Sequence, residues 1–187
     1  MDGQLWDGIV QSIKTGHVEM MKHGLVMKPQ LFAFAGGRLH GFVQLWPVSR
    51  GMDAAKGIAE MSGLASAAGA DEVVVAWETQ DIAIACDLPP LRPKPAVNIL
   101  WAARGRHLLY RFPYQEQQMQ GRTEHGLIPV AARWLAPEPA VRGAELEPAI
   151  AALLEFSFQP FDYDDPDILS HAAVYLESQG YAVSLTI

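Results

Sequence analysis

The apolar residues change their spacing several times along the chain, and each change marks an element. Leu5, Trp6, Ile9, Val10 and Ile13 recur at helical spacing, which predicts an amphipathic helix over residues 3–23. Gly16 reads as a break in it. His17 and His23 fall near its end, where the helix dipole favours a cation. From Leu31 to Trp46 the pattern becomes strand-like on either side of Gly36-Gly37. Two glycines can supply the positive φ angles of a tight hairpin turn. That turn sets Phe34 opposite Leu39 and Phe32 opposite Gly41. Phe32, Phe34, Val43 and Leu45 then share one face, and Ala33, His40, Phe42 and Trp46 the other.

Ile58, Met61, Leu64, Ala65 and Ala68 return to helical spacing, which predicts a helix over Ser49–Gly69, capped by Ser49 or Asp53 and ended at Gly69. Gly57 and Gly63 inside it each cost about 1 kcal/mol, which implies close approach to a sheet. Next comes Asp71–Asp81, DEVVVAWETQD, around which the fold is organised. Val73–Trp77 has no alternation, and a short β-branched run of this kind suits a strand covered on both faces. Glu78–Asp81 are expected to return the chain to water, and Ile82–Cys86 to extend that strand or begin another.

Residues 88–95 hold four prolines and read as an extended surface crossing. Pro95–Phe112 predicts a second hairpin turning at Gly105-Arg106, with Ala103 facing Leu108, Trp101 facing Tyr110 and Ile99 facing Phe112. Asn98, Arg104, His107 and Arg111 fall on its other side, which reads as a solvated outer face. Residues 113–124 read as a loop, and 126–135 as an edge strand because of Pro129. Pro148–Ser157 predicts a helix. A second helix starts with Asp165 as cap and Pro166 at its first position and ends at Gly180, and residues 181–187 alternate as a closing strand. The class is therefore α/β (α+β): a mixed sheet of two β-hairpins and a central buried strand, with packing helices and a C-terminal helix–strand unit. It forms one domain over residues 1–187, with a sub-division into 1–88 and 96–187.

Composition narrows the function classes without naming one. Half of the residues are hydrophobic and 19% are charged, so a sizeable core forms and global disorder is excluded. A net charge of −7 disfavours non-specific nucleic-acid binding. The single cysteine, Cys86, has no partner for an internal disulfide. The N-terminus lacks a basic region followed by an apolar core, and no apolar run is long enough to span a membrane, so a cytoplasmic location is expected.

Candidate chemistry is sparse. No HExxH, paired CxxC, GxSxG or phosphate-binding glycine loop is present. Asp167 and His171 share a helix face but supply only two ligands, and the acidic stretch 162–167 lacks the glycine and spacing of a calcium loop. No metal and no cofactor are expected. Two readings remain. In the first, the chain is a non-enzymatic accessory protein that binds a protein partner or itself through Phe158, Phe161, Tyr163 and Asp164. In the second, it is a small enzyme with Glu78, Asp81 and His40 as acid–base candidates at the end of the central strand. There, Arg104, His107 or Arg111 would bind an anionic small molecule.

Overall fold

The unbroken run at 73–77 forms the middle of an antiparallel sheet. A computed structural model describes residues 2–45, 50–89, 94–161 and 165–186. The chain begins with α1 (Gly3–Lys22), β1 (Gln30–Ala35) and β2 (Arg38–Gln44). Then come α2 (Met52–Glu60), α3 (Ser62–Ala67), β3 (Glu72–Glu78) and α4 (Thr79–Ala85). The second half holds β4 (Ala96–Ala103), β5 (Arg106–Gln118), β6 (Val130–Trp134) and β7 (Val141–Arg142). It ends with α5 (Pro148–Ser157), α6 (Ile168–Ser178) and β8 (Ala182–Leu185). Strand order is β6-β5-β4-β3-β1-β2-β8, with β7 beside β5, and every pairing is antiparallel. Among the described residues no helix is long and apolar enough to cross a membrane.

Both faces of the sheet are covered, which explains the missing alternation in β3. Val73, Val75 and Trp77 enter one core, with Ile58, Met61 and Leu64 from α2–α3 and Ile150 and Leu153 from α5. Val74 and Ala76 enter the other, against Ile9, Ile13 and Met21 of α1. A side-chain period of two, buried on both sides, reads as a continuous apolar run.

Several expectations need correction. Gly16 lies inside α1 and does not break it. In the first hairpin Phe34 pairs with Leu39 as expected, and Gly36 and Gly37 have φ of 57° and 75°. The register then shifts: Ala33 pairs with Gly41 and Phe32 with Phe42. His40 is the extra residue of a bulge, and an extra residue reverses the faces beyond it. Val43 therefore joins Leu31 and Ala33 in one core, while Phe32 and Phe42 stack on the other side at 4.8 Å.

The helix expected over 49–69 is two helices meeting at Met61, entered through Gly51 and not Asp53. A Cβ at Gly63 would meet nothing within 4 Å, so close approach does not account for that glycine. Residues 82–85 are helical, not a strand. The second hairpin turns at Arg104-Gly105, so Trp101 pairs with Leu108 and Ile99 with Tyr110. The slip is two residues, an even number, and so the faces survive. β5 runs on to Gln118 through the stretch expected to be a loop, paired there with β6. Pro129 does precede an edge strand. α6 is entered from Asp167, while Asp165 accepts the Asp167 N–H at 2.9 Å. Trp46, Ser49, Pro90, Pro93 and Ile187 lie outside the described residues.

Leu100 is fully buried in the larger core, so Leu100→Ala is expected to cost about 2–5 kcal/mol in urea denaturation. Val174 is exposed on α6, and Val174→Ala should stay within about 0.5 kcal/mol of the native chain.

Candidate functional site

The last turn of β3 sends adjacent side chains to opposite faces, Trp77 to one and Glu78 to the other. Glu78 does not return to water. It is buried, and its Oε2 accepts the N–H groups of Gln80 at 2.6 Å and Asp81 at 2.9 Å. Those are the unsatisfied donors at the start of α4, so Glu78 is that helix's N-cap. Its Oε1 accepts the Ala96 N–H of β4 at 3.0 Å, and the Tyr114 hydroxyl donates to the same carboxylate. Burial pushes the Glu78 carboxyl up, and these hydrogen bonds oppose the rise.

On this face a cavity of about 150 Å³ is lined by Glu78, Asp81, Tyr114, Glu116 and His17. His17 sits on the inward stripe of α1 with Ile9, Ile13 and Met21 and is 2% exposed. Its ring packs on Tyr114 at 4.7 Å and Trp134 at 5.6 Å, and neither ring nitrogen has a hydrogen-bond partner. Burial holds His17 down at about 4, so the imidazole is neutral at pH 7. Asp81 is pushed up to about 7, first by burial and then by the Glu78 charge, with Lys28 opposing. Burial and the neighbouring carboxylates also raise the Tyr114 phenol. Asp81 faces a third, mainly apolar cavity of about 320 Å³ as well, beside Lys28 and Arg50.

On the opposite face Trp77, Thr79, Asn98 and Arg111 line a cavity of about 490 Å³, whose far wall is the 144–148 segment. Asn98 Nδ2 donates to Thr79 Oγ1 at 2.8 Å, and Thr79 Oγ1 donates to the Ala96 carbonyl at 3.2 Å. Arg111 Nε lies 3.6 Å from Glu138 Oε2. The Trp77 indole N–H is buried without a hydrogen-bond partner.

The candidates named from sequence are only partly brought together. Glu78 and Asp81 share a cavity. His40 does not join them: it stands at the level of Glu72, about 20 Å away along the strands at 3.3 Å per residue. Asn98 and Arg111 are buried, so their face is interior and not a solvated outer face. His107 turns to the Ala144 carbonyl at 3.0 Å, and Arg104 donates to the Phe158 carbonyl at 2.7 Å. Phe158 is half-buried against the larger core, while Phe161 is 40% exposed. Tyr163 and Asp164 lie outside the described residues. His171 pairs with Asp165 at 2.9 Å. Among the described residues no three His, Cys, Asp or Glu side chains are placed to hold a metal ion. Burial and Asp87 push the Cys86 thiol up, away from the thiolate a nucleophile needs.

Four residues of these cavities were not among the site candidates named from sequence: His17, Trp77, Thr79 and Tyr114. His17, expected as a favoured cation near the helix end, is instead buried and neutral, and Thr79 is buried rather than returned to water. The signal for His17 was its four-residue step from Ile13 and to Met21. The signal for Tyr114 was strand alternation continuing past Phe112. The chain matches no family model, no curated protein and no solved structure.

Asp81 and His17 give folding opposite pH dependences. The fold raises the Asp81 pKa from 3.8 to about 7, so its contribution is present at low pH and lost as pH rises from about 4 to about 7. The fold lowers the His17 pKa from 6.5 to about 4, so its contribution is present above 6.5 and lost as pH falls towards 4. At pH 5 folding in effect moves a proton from His17 to Asp81, and the two slopes offset. Asp81→Asn should therefore lose about 1–2 kcal/mol more than the native chain on acidification from pH 6.5 to 4.5, after screening. His17→Phe should gain a similar amount. Urea denaturation across that range checks both, and parallel profiles for the two variants would refute the assignment.

Proposed function

We propose that the protein is a binding protein for a small monocarboxylate with an apolar body, held in the Trp77–Arg111 cavity. The observation that carries this reading is the Trp77 indole N–H, buried and unpartnered in the wall of a cavity that Asn98 and Arg111 also line. A buried donor without a partner costs about 1–3 kcal/mol, and a ligand oxygen would remove that cost. The cavity volume of about 490 Å³ falls in the range of small-molecule sites. Glu145 and Glu147 line the same space and Glu138 lies beside Arg111, which favours a single negative charge over a polyanion. The acid–base reading of Glu78 with His40 loses geometric support from their separation. Weak affinity for nucleic acid belongs to the same proposal, on the net charge of −7.

Calorimetric titration with phenylacetate and with its neutral amide tests the charge. The acid is expected to bind at least about tenfold more tightly, a preference that Arg111→Lys weakens because a lysine cannot present the planar fork. Equal affinity for acid and amide, or an unaltered preference in Arg111→Lys, would overturn the proposal.

A second reading, a basic protein partner docking at the Phe156–Asp165 segment, is favoured by Phe156 at 46% and Phe161 at 40% exposure. Phe161→Ala should then leave the melting temperature unchanged while removing a band from a pull-down. Phe158→Ala is expected to cost about 1–3 kcal/mol through the core it touches. A pull-down identical for Phe161→Ala and the native chain would exclude this surface.

A further inference from the structure

We propose that the cavity between α1 and the end of β3 is a second binding site, one that takes a small primary alkylamine as its ammonium ion. It lies on the opposite face of the sheet from the Trp77–Arg111 cavity and does not depend on what fills that one. Three carboxylates line it, Glu78, Asp81 and Glu116, and no Lys or Arg does among the described residues. Glu78 is already committed, to the N–H groups of Gln80, Asp81 and Ala96 and to the Tyr114 hydroxyl. Neither Asp81 nor Glu116 makes an ion pair among the described residues, and the Glu116 charge adds to the cost of ionising Asp81, which Lys28, outside this cavity's wall, offsets only in part. A cation between them removes that cost.

His17 supplies an independent observation. It lines the same cavity, is 98% buried, and has neither nitrogen hydrogen-bonded. A neutral imidazole carries one acceptor nitrogen, and a buried acceptor without a donor is rare in folded proteins. A primary ammonium offers three donors, which matches Asp81, Glu116 and that nitrogen. The rest of the wall is apolar, including Val26, Ile128 and Val130, and suits a short methylene chain. A volume of about 150 Å³ limits the chain to a few carbons. A metal ion fits less well, because its ligands must converge at about 2.0–2.3 Å and no three ligating side chains are placed so closely among the described residues, whereas ammonium hydrogen bonds reach about 2.9 Å.

The test uses the intact chain and propylammonium chloride, with sodium chloride and tetramethylammonium chloride at equal concentration as controls. Propylammonium is expected to raise the melting temperature by roughly 2–4 °C over both controls. It should also shift the His17 ring signals in the NMR spectrum. Asp81→Asn should abolish the rise. Glu116 is exposed, so Glu116→Gln keeps the fold and should reduce the rise even if Asp81→Asn unfolds. No rise over the controls, an equal rise with tetramethylammonium, or a full rise in Glu116→Gln would overturn the proposal.

Discussion

The Glu78 carboxylate accepts backbone N–H groups from two segments at once, Gln80 and Asp81 at the start of α4 and Ala96 at the start of β4. Charge-assisted bonds of this kind are roughly twice as strong as neutral ones, and a buried carboxylate is tolerated only where they are made. The bonds let α4 begin at Thr79, with no residue between strand and helix. They also fix where β4 starts. Both cavities follow from that geometry: Trp77 and Thr79, on either side of Glu78, line one, and Glu78 itself lines the other. The two proposed sites, of opposite charge preference, therefore lie back to back, separated by the thickness of one sheet.

Antiparallel sheets often leave one face to water, and this one does not. α1 covers one face, and α2, α3 and α5 cover the other. A sheet buried on both sides has few places for polar side chains, so those that remain gather where the strands end. Asn98, Arg111, Glu78 and Thr79 are all buried polar residues at one end of β3, its neighbour β4 and the next strand, β5.

Elements governed by local pattern were legible in the sequence. β3 could be read from its unbroken apolar run, α5 from Pro148 and its leucines, and the first hairpin from two glycines with positive φ. What was not legible depended on tertiary partners. Ile82–Ala85 has strand-like composition, yet a buried carboxylate four residues upstream, Glu78, caps a helix and decides the matter. The bulge at His40 leaves no mark in the alternation until both neighbouring strands are known. His17 is polar in sequence and buried in the fold because α1 presents that stripe to Tyr114 and Trp134. The acidic stretch after β3 pointed to Glu78 and Asp81. The residues that share their cavity, His17 of α1 and Tyr114 and Glu116 of β5, are connected to them by no spacing along the chain.

The position of β3 has a consequence for how the chain reaches this structure. The two flanking hairpins close over two residues each, whereas β3 meets β1 across residues 36–71 and β4 across residues 79–95. Loop-closure entropy favours the short turns, so the hairpins form before the strand that joins them. Until then the unbroken apolar, β-branched segment Val73–Trp77 stands unpaired on both edges, a template for pairing with other molecules. Asp71 and Glu72 precede it and Glu78 and Asp81 follow it. Before they cap or line anything, these four carboxylates act as gatekeepers, keeping nascent chains from aggregating through their own central strand.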